Sequence, residues 1–164
     1  MQTPKRIVCP IDFSDHSQDA LVVATDLALR FQATLVLVHI VPMLPKLPFT
    51  VSIFKEGEYE AQLHVEAKQQ LEKSVQELSQ KGIKAEVFLG TANDVGMEIV
   101  RVAEHHEADL IVIATHGITG WNKVVFGSVA EKVVRAAHCP VLVLRASKES
   151  RPAAQTPKMA STAV

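Results

Sequence analysis

A chain of 164 residues with 48% hydrophobic and 21% charged residues is long enough to bury one sizeable core and reads as ordinary globular protein. Its formal net charge of −1 draws it neither to nucleic acid nor to an anionic membrane surface, and 5% aromatic residues leave little for stacking single-stranded bases. The two cysteines, Cys9 and Cys139, make neither a disulfide framework nor a zinc pattern and read as small buried apolar side chains.

The opening residues 1–13 carry an apolar stretch too short for a signal peptide, broken by Pro10 and Asp12. No apolar run nears the ~20 residues of a membrane span, so the expected compartment is the cytosol. The first apolar run, residues 6–11, is a strand. A helical stripe follows, with Ala20, Val23, Ala24, Leu27, Ala28 and Phe31 on one side and Ser14 or Asp15 as its cap. Residues 34–41 form a second strand of near-continuous Leu, Val and Ile, as in sheets buried on both faces. Residues 42–57 hold three prolines among apolar residues and read as an irregular loop folded back over the top of the sheet. Leu63, Ala67, Leu71, Val75 and Leu78 then space a second helix, closed by Lys81 and a C-cap glycine, Gly82.

A third strand is expected over 84–89 and a third helix over 94–106, with Val95, Ile99, Val102 and Ala103 inward. Residues 110–114 make the fourth strand. The fourth helix starts near Ser128 and turns Val129, Val133, Val134 and Ala137 inward, before a fifth strand over Val141–Leu144. Residues 147–164, rich in Ala, Ser, Thr, Pro and Lys, have no periodicity and read as a disordered tail behind one domain of 1–146. Strands and helices alternate, so the fold class is α/β, a mostly parallel sheet with helices on both faces. Such sheets bind ligands at the carboxyl ends of the strands where strand order reverses, here the loops after Ile11, Val41 and Ala114.

The segment from Ala114 to Ser128 leaves a buried strand, carries Gly117, Gly120 and Gly127, and opens a helix. Glycines allow close backbone approach, and free N–H groups at a helix start attract anions, so the segment has the makings of a phosphate cradle; a glycine-rich turn without a ligand is the plainer alternative. It is no P-loop, the first strand lacks a dinucleotide-binding glycine fingerprint, and no nucleophile elbow is present.

The spacing Ala114-x2-Gly117-x9-Gly127-Ser128 resembles the universal stress protein motif G-x2-G-x9-G-[S/T]. The opening Ile7-Val-Cys-Pro-Ile-Asp-Phe-Ser14, His39-Ile40, and the run from Ser128 to Leu144 are similar to the same family, over roughly residues 3 to 145. The resemblance implies an open, twisted, Rossmann-like five-stranded parallel sheet, order 3-2-1-4-5, of the adenine nucleotide alpha hydrolase-like kind. It implies ATP or AMP across the carboxyl end of that sheet. Pro10, Ile11 and Asp12 would border adenine and ribose, and Ile40 would meet the adenine. Ala114 and Gly117 would line the ribose and first phosphate, and Gly127, Ser128 and Val129 would hold the outer phosphates. Mg2+ would ride on the phosphates. The family also implies a homodimer through the Val141–Leu144 edge, against an edge covered by the chain's own tail.

Alanine at position 114 departs from the motif; if its φ is positive, it carries strain of about 1 kcal/mol or more. Asp12 serves either as a nucleoside contact or as a cap for the next helix. His116, Trp121 and Lys123 read as exposed or packing residues of the loop, His105-His106 as cations at a helix end, and His39 and His138 as isolated. No carboxylate or arginine falls within 115–128, which favours a nucleotide-binding signalling module over a slow ATP hydrolase or phosphotransferase. A dimerising interaction protein that binds no nucleotide is the remaining alternative.

Overall fold

The computed structural model describes residues 3–43, 56–115 and 127–145. In chain order these form β1 (Arg6–Pro10), α1 (Asp15–Phe31), β2 (Thr34–Pro42), α2 (Glu56–Gln80), β3 (Ala85–Ala92), α3 (Val95–His105), β4 (Leu110–Ala114), α4 (Ser128–Ala136) and β5 (Val141–Leu144). The five strands make one sheet in the order β3-β2-β1-β4-β5, every pairing parallel. This is the α/β architecture and strand order expected from the sequence. The loop assigned to 42–57 is shorter at both ends, since Pro42 closes β2 and Glu56 and Gly57 belong to α2; its expected course over the sheet and the tail at 147–164 lie outside the described residues.

Because strand side chains alternate, the sheet feeds two cores. Ile7, Cys9, Leu35, Leu37 and Val112 pack toward α1 and α2, with Ala20, Ala24, Ala28, Leu71 and Leu78. Val8, Val36, Val38, Ile111 and Ile113 pack toward α3 and α4, with Ile99, Val102, Ala103, Ala130 and Val133. Two residues of the expected inward stripes stay outside: Phe31, the last residue of α1, and Val134 are 40% and 46% exposed. Val133 and Val134 are neighbours about 100° apart on the helix, so when Val133 faces the sheet, Val134 turns away.

The helix ends are set by local hydrogen bonds. Ser14 caps α1, its Oγ accepting from Ser17 N at 3.2 Å. α2 ends in a Schellman turn: Gly82, at φ 77°, donates to Ser79 O, and Ile83 donates to Leu78 O. The positive φ explains the glycine. Asp94 caps α3 through Met97 N at 3.1 Å and reaches across to Lys132 of α4 at 2.6 Å, fixing one helix against the other. β3 runs on to Ala92 because β2 stays paired with it as far as Pro42↔Ala92.

Candidate functional site

The chain passes outward from β1 to β2 and β3, then returns to the other side of β1 for β4. Strand order therefore reverses between β1 and β4, the place at the carboxyl ends of the strands where such sheets leave a crevice. A cleft of about 300 Å3 opens there. Pro10, Ile11, Asp12, Ile40, Ala114, Gly127, Ser128 and Val129 all line it. Of the residues singled out from the sequence, Gly117 lies outside the described residues, as do His116, Gly120, Trp121 and Lys123.

The cleft has two chemically different walls. Val38, Ile40, Val95, Ile99, Ile113 and Ala130 form an apolar slot toward α3 and α4. Asp12, Ser17, His39, Thr115 and Ser128 bring polar groups to the same cleft. Asp12 and His39 are the only titratable side chains among the described lining residues.

The phosphate-binding expectation centres on α4. Its N-cap is Gly127, which supplies no side chain, and among the described residues no side chain caps the helix. The first intrahelical donor is Glu131 N, to Gly127 O at 2.9 Å, so the N–H groups of Ser128, Val129 and Ala130 precede the helical ladder, and all three residues line the cleft. Gly127 N itself donates to Thr115 O at 2.7 Å. That bond closes the neck between β4 and α4, and Thr115 N donates to Leu144 O at 2.8 Å. Gly127 has φ −60°, a value open to any residue, so the backbone does not itself require glycine there.

Ala114 is not among the residues with positive φ. Its departure from the glycine motif costs no backbone strain. It pairs with Leu144 in the sheet and packs against the core beneath α1.

The turn from β1 to α1 is held by hydrogen bonds at Ile11, Asp12 and Ser14. Ile11 N donates to Val38 O at 2.8 Å, and Ile11 O accepts from His39 Nδ1 at 2.7 Å. Asp12 N donates to Ser17 Oγ at 3.3 Å, and Ser17 Oγ donates to Ser14 O at 2.9 Å. Asp12 Oδ1 accepts from Ser14 N at 3.1 Å and Ser14 Oγ at 2.5 Å. Asp12 thus makes the Asx-type turn at the start of α1 and lines the cleft as well. Phe13 sits at φ 63°, an uncommon value for a bulky residue, with its ring 4.7 Å from the His39 ring. A carbonyl only accepts, so Nδ1 of His39 carries the proton. Burial pushes the imidazole below its ordinary value of 6.5, against the bond to Ile11 and the charge of Asp12, which favour the cation.

Ser17, His39 and Thr115 are the polar lining residues not named as site residues from the sequence; of these, His39 falls in the run that resembles the family but reads there as isolated. His39 ties β2 to the Ile11 carbonyl, and Ser17 ties α1 to the Asp12 N–H. Among the described residues no group of three or more His, Cys, Asp or Glu is placed to hold a metal ion. No helix among them is long and apolar enough to cross a membrane.

Residues 3–145 match the Universal stress protein family. Universal stress protein MJ0531 of Methanocaldococcus jannaschii is 37% identical over 150 residues, 88% of this chain and 84% of its own length. Among solved structures, hypothetical protein MJ0577 of the same organism superposes with a TM-score of 0.76 at 26% identity, covering 90% of this chain and 99% of that one. A universal stress protein from Archaeoglobus fulgidus, in complex with dAMP, gives a TM-score of 0.60 at 26% identity, over 87% of this chain and 98% of its own. With this fold, this cleft and these relatives, the chain belongs to the universal stress protein family.

Proposed function

We propose that this protein binds an adenine nucleotide, ATP or AMP, in the cleft between β1 and β4 and acts as a stress-response or signalling module in the cytosol. The observation that carries the reading is one cleft joining an apolar slot to a helix N-terminus whose cap residue, Gly127, supplies no side chain. A flat base suits the slot, and an anionic phosphate suits the N–H groups of Ser128, Val129 and Ala130. Asp12, at the turn after β1, borders the sugar. The dAMP complex of the Archaeoglobus fulgidus relative supports the ligand class. Mg2+ belongs to the ligand's phosphates in this reading. β5, a sheet edge with Leu142 36% exposed, is the surface for a second copy of the chain. Binding rather than turnover fits a lining in which the anion meets backbone donors and one hydroxyl, with Asp12 engaged by Ser14.

The test is to denature the purified protein, identify any released small molecule by mass spectrometry, and titrate the emptied protein with AMP and ATP. ATP is then followed for hours with Mg2+. Bound, unchanged nucleotide is the expected result. Gly127→Val, whose backbone angles valine adopts readily, should weaken phosphate-bearing ligands by crowding the cleft. Steady hydrolysis above that variant would make the protein an enzyme; no bound species and no thermal shift with either nucleotide would end the reading.

A further inference from the structure

The nucleoside end of the cleft is held in place by a residue from outside the β1–α1 turn. Both backbone polar groups of Ile11 are engaged by β2, the N–H by Val38 O and the C=O by His39 Nδ1 at 2.7 Å. His39 also lies against Phe13, whose backbone stays in the left-handed region at φ 63°. The residue between them, Asp12, has its N–H fixed by Ser17 and its carboxylate fixed by Ser14. Ile11 therefore has a bond on each side that sets the direction in which Asp12 leaves the sheet. Without the imidazole, Ile11 O would be a buried carbonyl next to a 3% exposed side chain, with nothing from β2 to hold it.

We propose that His39 is a positioning residue for the bound nucleoside, acting through the Ile11 carbonyl and the Phe13 ring to aim Ile11 and Asp12 into the cleft. The inference rests on the adenine-nucleotide reading of the site. The charged or titratable groups that act on the imidazole are Asp12, from the turn, and His64, from α2. His64 is itself tied to Thr91 of β3 at 2.7 Å. Burial favours the neutral ring, which keeps the proton on Nδ1, where Ile11 O requires it. His39 acts on the half of the cleft that meets base and sugar. The N–H groups at the start of α4 act on the half that meets phosphate.

The experiment compares adenosine with AMP, titrated by calorimetry at neutral pH into the wild type, His39→Asn and His39→Gln. The asparagine amide nitrogen stands close to where Nδ1 stands and can donate to Ile11 O; the glutamine amide reaches instead toward the position of Nε2. The expected result is that His39→Asn stays within roughly threefold of wild type while His39→Gln loses about 5- to 10-fold, the worth of one hydrogen bond. The loss should be the same for adenosine as for AMP. Equal behaviour of the two variants, or a loss seen with AMP alone, overturns the proposal. If wild type binds AMP normally and His39→Gln does too, the positioning role fails while the nucleotide reading stands. If wild type binds neither ligand, the nucleotide reading fails first. A urea unfolding midpoint for each variant confirms that folded protein is being titrated.

Discussion

Restoring the family glycine, Ala114→Gly, should cost stability and leave binding nearly unchanged. The methyl of Ala114 packs against the core beneath α1, and its φ is not positive, so removing it relieves no strain. Glycine in a strand costs about 0.5–1 kcal/mol in chain entropy, and a buried methyl contributes up to about 0.8 kcal/mol. The residue is only partly buried, so the sum is about 1 kcal/mol. For a domain of this size that corresponds to a fall of roughly 2–4 °C in melting temperature. Urea unfolding with and without AMP, beside calorimetry for AMP, reads both terms. Affinity should change by less than about threefold, under 1 kcal/mol. A gain of about tenfold or more would mean that the methyl obstructs the ligand, and the account of Ala114 as a core residue would be refuted.

If β5 carries the contact between copies, Leu142→Lys should shift the protein toward monomer in light scattering while leaving the melting temperature of the dilute protein nearly unchanged. Lys132 holds the Asp94 carboxyl below its ordinary value of 3.8. The stability this adds is complete above 3.8 and is lost as pH falls through the lower folded value; Asp94→Asn, which keeps an oxygen to cap α3, should flatten that acid limb in pH-dependent unfolding. Burial raises both thiols, Cys9 to about 12, but Cys139 is only half-buried, so a thiol reagent should label Cys139 slowly in the native protein and reach Cys9 only on unfolding.

Much of the fold was legible because strands buried on both faces are written as continuous Val, Ile and Leu, and five of them alternated with helical stripes. The end of β3 was missed because Gly90-Thr91-Ala92 lacks that signature; its strand character comes from the partner β2, through pairs such as Ile40↔Gly90. Phe31 falls on the right stripe of α1 but lies at the helix end, where the sheet no longer covers it. In the site, topology marked the loops after Ile11, Val41 and Ala114, and the resemblance to the family supplied Pro10, Asp12 and Ile40 as individual residues. Neither made His39 a site residue, since its hydrogen bond joins residues 28 apart in sequence, and periodicity carries no information about such a bond. Ser17 escaped notice for a related reason: its hydroxyl looks like a helix residue in sequence and serves the backbone of Asp12 in space.

The sheet is not equally sewn along its width. β2 and β3 are in register over eight residues and β1 and β2 over five, whereas β1 and β4 share two register pairs, Ile7↔Leu110 and Val8↔Ile111. The ligand cleft lies over that narrow seam, with His39 and Ile11 on one side and Thr115 and α4 on the other. A nucleotide laid across it would act as a cross-stitch between the β1-β2-β3 half and the β4-β5 half. Occupancy would then be felt as slower amide exchange along the β1–β4 seam, and it would stiffen the half whose outer edge is β5.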